Sequence, residues 1–242
     1  MILSIVIPFC DNDYQFLDGA VSSIKKHVKF DDYEIIAVDN REKDKSLINI
    51  SNVKVVSKGY NLGCFEGRRF GVSYSQGTFI WNFDADDLMI GDLYREDIKE
   101  DADVMQMYYA YNTGTKHDQK MFPIAYGVNV WSRLYKAEIV KNFYAKLEKP
   151  IKIFMREDSL LFDAVCGTAK VWKYIPRIIY EYNFKNARFN KNNKNNNKKS
   201  KFSEQVAKET YENYKYVYTI LGTPEKADIL FKRVKEIAER GY

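Results

Sequence analysis

A short apolar segment that ends in three aspartates constrains this chain more than any other part of its sequence. Residues 78–83 read TFIWNF and follow a glycine, which indicates a buried strand. Asp84, Asp86 and Asp87 come directly after it. Carboxylates this close repel one another unless a cation or hydrogen-bond donors lie among them. Oxygen ligands on a tight turn suit Mg²⁺ or Mn²⁺ better than zinc, and an acidic surface loop is the alternative interpretation.

Three further strands are predicted before this segment, over residues 3–9, 33–38 and 53–56. Between the first two, apolar residues at helical spacing predict a helix that begins after Asn12 or Asp13. Strands that alternate with helices, the first of them almost wholly apolar, predict a parallel sheet covered on both faces. Such sheets bind ligands at the carboxyl ends of their strands, which is where Asp39 and the aspartate cluster fall.

The composition fits one α/β domain with an appendage. The 242 residues are 45% hydrophobic and 15% aromatic, which is enough for a large core. No apolar run approaches the roughly 20 residues that cross a bilayer. The amino terminus enters a strand without a leader sequence, so a soluble, cytoplasmic protein is expected. Three cysteines far apart in sequence indicate reduced thiols rather than a disulfide framework or a zinc site.

The net charge of +5 comes from one segment near the carboxyl terminus. Residues 185–201 contain seven basic and no acidic residues, so the rest of the chain carries a net charge of −2. This asparagine- and lysine-rich tract predicts a flexible linker or loop. Two helices are predicted after it, over 202–221 and 224–237, as a hairpin packed on the domain or on another subunit. The predicted division is therefore 1–184, 185–201 and 202–242.

Residues 61–71, NLGCFEGRRFG, indicate a loop that enters a helix. Gly63 and Gly67 permit close backbone approach there, and Arg68 and Arg69 are available to a phosphate. The glycine spacing matches neither a P-loop nor a dinucleotide fingerprint.

The second half of the chain continues the α/β pattern. Strands are predicted over 104–111, 171–174 and 178–182, with Pro176 separating the last two. A helix is predicted to begin at Glu157 and Asp158, where acidic residues in a first turn also have an ordinary helix-dipole explanation.

The order and spacing of these segments resemble the family-two glycosyltransferases of GT-A fold. The resemblance rests on a first strand ending in IPF, a second ending in VDN, residues 61–68, and the segment ending in DADD. It is close as far as Asp87 and looser to about residue 185. The resemblance implies a GT-A, Rossmann-like α/β fold, with a mixed, mainly parallel sheet flanked by helices and a C-terminal helical appendage. Residues 1–184 would then be the catalytic domain.

The resemblance also implies roles for residues that match the family's motifs. Asp158 would be the general base, and Asp86 the principal metal ligand, with Asp84 near the metal and ribose. The residues expected to contact the nucleotide sugar are Pro8, Phe9, Asp39, Asn61, Gly63, Arg68, Asp84 and Ala85. The residues expected on the acceptor side are Asp87, Trp131 and Glu157, although Trp131 could equally be a core aromatic.

The implied reaction is inverting transfer of a sugar from a nucleotide-diphosphate sugar, UDP-linked, to a hydroxyl of a glycan or lipid-linked acceptor. Mn²⁺ or Mg²⁺ would offset charge on the departing phosphate, and Asp158 would take the acceptor proton. Two departures from the family pattern concern the phosphate and metal contacts. Arg69 stands where relatives have asparagine, and no histidine follows His117 to act as a further metal ligand.

Two alternatives from other classes remain open at this point. A sugar-phosphate nucleotidyltransferase would also use metal-binding aspartates, but it needs a glycine-rich loop after the first strand, where residues 10–13 read CDND. A non-catalytic binding protein would use the tract 185–201 to bind an anionic surface. Apart from Phe189, that tract lacks the interleaved aromatics of a single-strand groove, so no nucleic-acid partner is predicted. Peripheral contact with the inner face of the membrane through 185–201, and a homo-oligomer through the terminal helices, are further hypotheses.

Overall fold

The computed structural model describes residues 1–42, 48–111, 116–117, 129–153, 156–183 and 204–239. The predicted linker over 185–201, and with it the hypothesis of membrane contact, lies outside the described residues. In the described part of the chain, no helix is long and apolar enough to cross a membrane.

Nine strands form one sheet. They are β1 (Leu3–Phe9), β2 (Tyr33–Asp39), β3 (Lys54–Ser57), β4 (Phe79–Asn82), β5 (Leu88–Met89), β6 (Val104–Tyr111), β7 (Lys116–His117), β8 (Arg133–Lys136) and β9 (Trp172–Tyr182). The helices are α1 (Tyr14–His27), α2 (Gly63–Ser73), α3 (Ala137–Ala145), α4 (Glu157–Cys166), α5 (Glu204–Ile220) and α6 (Glu225–Glu239).

The strand order is β3-β2-β1-β4-β8-β6-β9-β5, with β7 paired to β6. The first four strands in this order are parallel, as are β6 and β9. Strand β8 is antiparallel to both β4 and β6, so it reverses direction in the middle of the sheet. Six strands therefore run in one direction and three in the other, and the predicted mixed, mainly parallel sheet is confirmed.

The predicted division of the last strand at Pro176 is wrong. Strand β9 runs through the proline as one strand that is parallel to β6. Ile175 pairs with Met107 and Ile178 pairs with Tyr108, so two residues of β9 bulge out between consecutive pairs. The bulge places the proline where no ladder hydrogen bond is required of it, which allows the strand to continue.

Helices cover both faces of the sheet, as the apolar character of β1 predicts. One face packs against α1 through a cluster that includes Leu17, Val21, Ile24 and Trp81. The other face packs against α2, α3 and α4, and its cluster also contains buried residues of the last two helices. Tyr214, Val217 and Tyr218 come from α5, and Ala227, Leu230 and Val234 from α6. The C-terminal hairpin thus packs on the same core as the helices that cover the sheet.

Candidate active site

The aspartate cluster forms a turn at the carboxyl end of β4. The Asp87 N–H donates to the Asp84 carbonyl at 3.2 Å, so the chain turns directly after the strand. Strand β4 is parallel to β1, whose last residue is Phe9, and helix α2 follows β3 at the same edge. This edge is where ligands of parallel sheets bind.

The Arg68 guanidinium links the aspartate turn to the start of α4. Its Nη2 donates to Asp84 Oδ1 at 2.9 Å. Its Nη1 donates to Asp158 Oδ1 at 2.7 Å and to Glu157 Oε1 at 3.2 Å. The Arg68 side chain is only 5% exposed. One buried cation therefore holds three carboxylates that are 16 to 90 residues away in sequence.

Burial and charge shift the pKa values in this cluster. Burial would lower the pKa of Arg68, but Asp158, Asp84 and Glu157 raise it well above its ordinary value. Burial raises the pKa of Asp158 to about 7; the Arg68 guanidinium opposes the rise, and the carboxylates of Glu157 and Asp84 add to it. A carboxyl group with a pKa near neutrality is suited to accept a proton.

A first cleft of about 430 Å³ lies between the end of β1 and the start of α2. It is lined by Pro8, Phe9, Cys10, Asp13, Asn40, Glu42, Asn61, Leu62, Gly63, Cys64, Phe65, Ile151, Lys152, Ile153 and Glu157. Four residues predicted to contact the nucleotide sugar, Pro8, Phe9, Asn61 and Gly63, are therefore at one cleft. The Asn61 side chain accepts from the Gly63 N–H at 2.8 Å, and Gly63 has a φ of 77°, which favours glycine.

Asp39 does not line this cleft. Its carboxylate accepts hydrogen bonds from the backbone N–H, Nε and Nη2 of Arg41 at 2.9, 3.0 and 3.0 Å. The neighbouring Asn40 lines the cleft instead. Its side chain is buried and contacts the start of α2, donating to the Gly63 carbonyl and accepting from the Leu62 N–H. The predicted nucleotide contact of Asp39 stays a prediction.

A second cleft of about 310 Å³ lies at Arg68. It is lined by Arg68, Asp84, Asn129, Trp131, Glu157, Asp158 and Tyr182. Glu157 lines both clefts, so the start of α4 separates them. The second cleft thus brings together the predicted base, the predicted acceptor-side residues Trp131 and Glu157, and two predicted nucleotide contacts, Arg68 and Asp84. The other predicted nucleotide contacts that line a cleft are the four at the first cleft.

Trp131 belongs to the core as well as to the cleft. It is 5% exposed, and its backbone carbonyl accepts a hydrogen bond from the indole N–H of Trp81 at 2.6 Å. The Trp131 ring stacks on Tyr180 at 4.6 Å and on Tyr182 at 5.3 Å between centroids. Trp131 is therefore a core aromatic that also lines the second cleft, and its contact with an acceptor stays a prediction.

The remaining aspartates differ in exposure. Asp87 is 1% exposed; its carboxylate accepts from the Asn183 N–H at 2.6 Å and from the Tyr180 hydroxyl. Burial, Asp84 and Asp86 together raise the pKa of Asp87 well above its ordinary value. Asp86 is half-buried and Ala85 is buried, and neither lines the two clefts. Asp87 therefore links the turn to the end of β9 through buried hydrogen bonds.

Sequence reasoning missed Asn40, Asn129, Tyr180 and Tyr182. Asn40 was visible as the residue after the strand-terminal Asp39, since strand ends supply ligand contacts in this fold class. The two tyrosines lie at the end of β9. No pattern in the sequence indicated that this strand pairs with β6 and reaches the aspartate turn.

A family model described as glycosyl transferase family 2 matches residues 4–161, which is more than half of the chain. The chain belongs to this family. It is therefore a glycosyltransferase, and the GT-A fold predicted from the sequence is confirmed. No sequence match was found among curated proteins.

Solved structures show the same fold at low sequence identity. The crystal structure of S. aureus TarS residues 1–349 has a TM-score of 0.65 and 16% identity, and the match covers 94% of this chain and 68% of that one. The same TarS segment in complex with UDP gives a TM-score of 0.66 and 17% identity, covering 94% and 69%. The complex with UDP-GlcNAc gives 0.65 and 17%, covering 94% and 70%.

The glycosyltransferase site fits a metal ion only in part. In the described residues, no group of three or more His, Cys, Asp or Glu side chains is placed to hold one ion. Asp84 and Asp86 flank a turn and offer carboxylate oxygens, the donors that a hard divalent ion prefers. One Asp84 oxygen already accepts from Arg68, so the described side chains alone do not complete the coordination of an ion.

Proposed function

We propose that this glycosyltransferase transfers a sugar from a UDP-linked donor to a hydroxyl of a glycan or lipid-linked acceptor, with inversion and with Asp158 as the general base. The observation that carries the proposal is the Arg68 bridge, which holds Asp158 and Asp84 on one guanidinium at the second cleft, next to Glu157, which lines both clefts. The first cleft would hold the nucleotide and the second the acceptor.

The donor assignment is supported by the lining of the first cleft. The partly exposed side chains of Pro8 and Leu62 offer an apolar surface, and Gly63 permits close backbone approach, which suit a base and ribose. The TarS complexes contain UDP and UDP-GlcNAc in a protein of the same fold. Arg68 would lie beside the diphosphate, because a guanidinium pairs with phosphate as readily as with carboxylate.

The base assignment is supported by position and charge. Inversion requires that the acceptor oxygen attack the anomeric carbon from the face opposite the leaving group, and a carboxylate on that face takes its proton. Asp158 and Asp84 both line the cleft assigned to the acceptor, and they accept from different nitrogens of the Arg68 guanidinium, Nη1 and Nη2. The C–O bond to the acceptor forms as the bond to the diphosphate breaks, and the proton passes to Asp158.

Asp86 and Asp84 would hold a Mn²⁺ or Mg²⁺ ion together with oxygens of the donor. Such an ion, when bound, offsets negative charge on the departing diphosphate. Arg68 would contribute to the same charge balance from the protein side, because it is a buried cation next to Asp84.

A thermal-shift panel of nucleoside diphosphates and their sugars, each with Mn²⁺, tests the donor. We expect UDP and one UDP-sugar to raise the melting temperature more than the adenosine and guanosine counterparts. Stabilisation by nucleoside triphosphates and sugar phosphates instead would favour the nucleotidyltransferase alternative, and no stabilisation by any nucleotide would contradict the proposal.

Replacement of the base tests the mechanism. We expect Asp158→Asn to lower the transfer rate by about 100-fold or more, the usual contribution of a positioned general base. UDP should still stabilise the variant, because the amide keeps the shape of the side chain. Full transfer activity in Asp158→Asn would contradict the assignment.

A further inference from the structure

One wall of the first cleft is an irregular segment, residues 147–153, here called the cleft wall. It connects α3 with the chain that leads to α4, and Ile151, Lys152 and Ile153 line the cleft. The segment has no regular secondary structure. Its backbone polar groups must therefore find partners outside a helix or sheet, and their positions depend on those partners.

Helix α2 holds the cleft wall from one side. The Ile151 N–H donates to Glu66 Oε1 at 2.9 Å. Arg69 Nη1 donates to the Lys149 carbonyl at 3.1 Å and also to Glu66 Oε1 at 3.3 Å, while its Nη2 donates to the Leu147 carbonyl. Arg69 is thus used to fix the cleft wall.

Helix α5 of the C-terminal hairpin holds the cleft wall from the other side. The Glu148 N–H donates to the Tyr216 hydroxyl at 2.9 Å, and Lys149 Nζ lies 4.4 Å from the centre of the Tyr216 ring. Asn213 Nδ2 donates to the Lys152 carbonyl at 2.9 Å. Asn213 is only 7% exposed, so its amide is confined to this position.

We infer that Tyr216 and Asn213 of α5 are positioning residues for the donor cleft, and that the C-terminal hairpin is part of the substrate-binding machinery. The inference rests on the proposed function in so far as the cleft is assigned to a nucleotide. Tyr216 and Asn213 lie beyond residues 4–161, the stretch that the family model matches. The cleft wall would then be held between a helix of the catalytic domain and a helix of the hairpin.

The Tyr216→Phe variant tests the inference, with Tyr211→Phe as its matched control. Both changes remove one hydroxyl from α5. The Tyr216 hydroxyl contacts the cleft wall, whereas the Tyr211 hydroxyl donates to Asp228 Oδ1 of α6 at 2.5 Å, within the hairpin. We expect Tyr216→Phe to raise the Kd for UDP roughly three- to tenfold, the scale of one hydrogen bond, and Tyr211→Phe to leave the Kd unchanged.

Steady-state kinetics distinguish a positioning role of Tyr216 from general damage to the fold. With the UDP-sugar that stabilises the enzyme best, Tyr216→Phe should raise KM for donor hydrolysis by the same factor and leave kcat unchanged. Arg69→Met, which loosens the cleft wall from the α2 side, should also raise KM. An unchanged Kd and KM in Tyr216→Phe would overturn the inference, as would equal increases in Tyr216→Phe and Tyr211→Phe.

Amide hydrogen exchange of the protein without nucleotide separates this inference from the proposed function. The Ile151 N–H is bonded to Glu66 and not to Tyr216, so its exchange reports the whole cleft wall. We expect faster Ile151 exchange in Tyr216→Phe than in the wild type or Tyr211→Phe. A wild-type protein that bound no UDP would contradict the proposed function, and Ile151 exchange would still test the inference. Unchanged Ile151 exchange in Tyr216→Phe would overturn the inference.

Discussion

At the scale of single residues, the site depends on how one buried guanidinium is shared. Arg68 contacts the carboxylates of Asp84, Glu157 and Asp158, and in the described residues these contacts join three separate elements. A buried cation surrounded by carboxylates is stable only while its partners remain, since loss of one side leaves uncompensated charge. The charge state of the proposed base therefore depends on its burial and on a residue of α2 that opposes the effect of burial.

This arrangement predicts a pH dependence. The pKa of Asp158 is raised to about 7, so the basic, ionised form is lost as the pH falls below that value. We expect kcat/KM to fall about tenfold for each pH unit below 7, measured from pH 5 to 9 with a stabilising UDP-sugar and its acceptor.

Replacement of Arg68 should move this profile. In Arg68→Met, Asp158 loses the one opposite charge that contacts it among the described residues, so its pKa rises and the acidic limb of the residual activity shifts upward by roughly one to three units. Arg69→Met is the control, because in the described structure Arg69 bonds to Glu66 and to backbone carbonyls and not to Asp158. An unmoved limb in Arg68→Met would show that Arg68 does not control the base.

At the scale of elements, helix α2 brings Arg68 to the site because small residues let it lie close to the sheet. A Cβ added at Gly71 would lie 2.4 Å from Val6 Cγ1 and 2.7 Å from Val38 Cγ2, both in the buried strands β1 and β2. At Gly67 it would lie 2.7 Å from Asn40 Nδ2. The helix therefore owes its position to glycines on its sheet-facing side.

Two glycine-to-alanine changes test this packing. Gly71→Ala should lower the free energy of unfolding by about 1 to 3 kcal/mol through overpacking, and should reduce UDP affinity because α2 moves outward. Gly19 is also inside a helix, and a Cβ added there would lie 3.9 Å from its nearest atom, Leu88 Cδ2. Gly19→Ala should therefore raise the free energy of unfolding by up to about 1 kcal/mol. Urea unfolding of both variants measures the difference; equal stabilities would contradict the packing argument.

At the scale of the whole molecule, two clefts, the aspartate turn and the C-terminal hairpin meet around the start of α4. Tyr218 of α5 donates to Asp163 Oδ2 of α4 at 2.7 Å, so the hairpin also contacts the helix that begins with the proposed base. The division of the chain into a catalytic domain, a linker and a hairpin remains a proposal. These contacts favour treating the hairpin and the catalytic domain as one working unit.

The proposed metal ion would bind to this assembly together with its substrate. Because the described residues hold no group of three suitable ligand side chains, Mn²⁺ should bind at least about tenfold more tightly when UDP supplies phosphate oxygens. Calorimetric titration of Mn²⁺ with and without UDP measures the difference. Equal affinities would show that the protein holds the ion without help from the nucleotide.

The sequence by itself determined the family and the fold, and it supplied the site residues that the proposal uses. Strand β1 and the strand before Asp84 were predictable because their apolar runs are short and end in polar turns. The order of these motifs along the chain carried the resemblance, and hydrophobic periodicity located α1, α4 and both terminal helices. These are local properties, which a sequence displays directly.

Only the tertiary structure decided which groups meet. Arg68 was predicted beside a phosphate, but its pairing with Asp158 joins residues 90 positions apart. The continuation of β9 through Pro176 depends on pairing with β6, and the support of the cleft wall by Tyr216 depends on how α5 packs. Contacts between distant segments follow from the packing of the whole core, and no local pattern in the sequence encodes them.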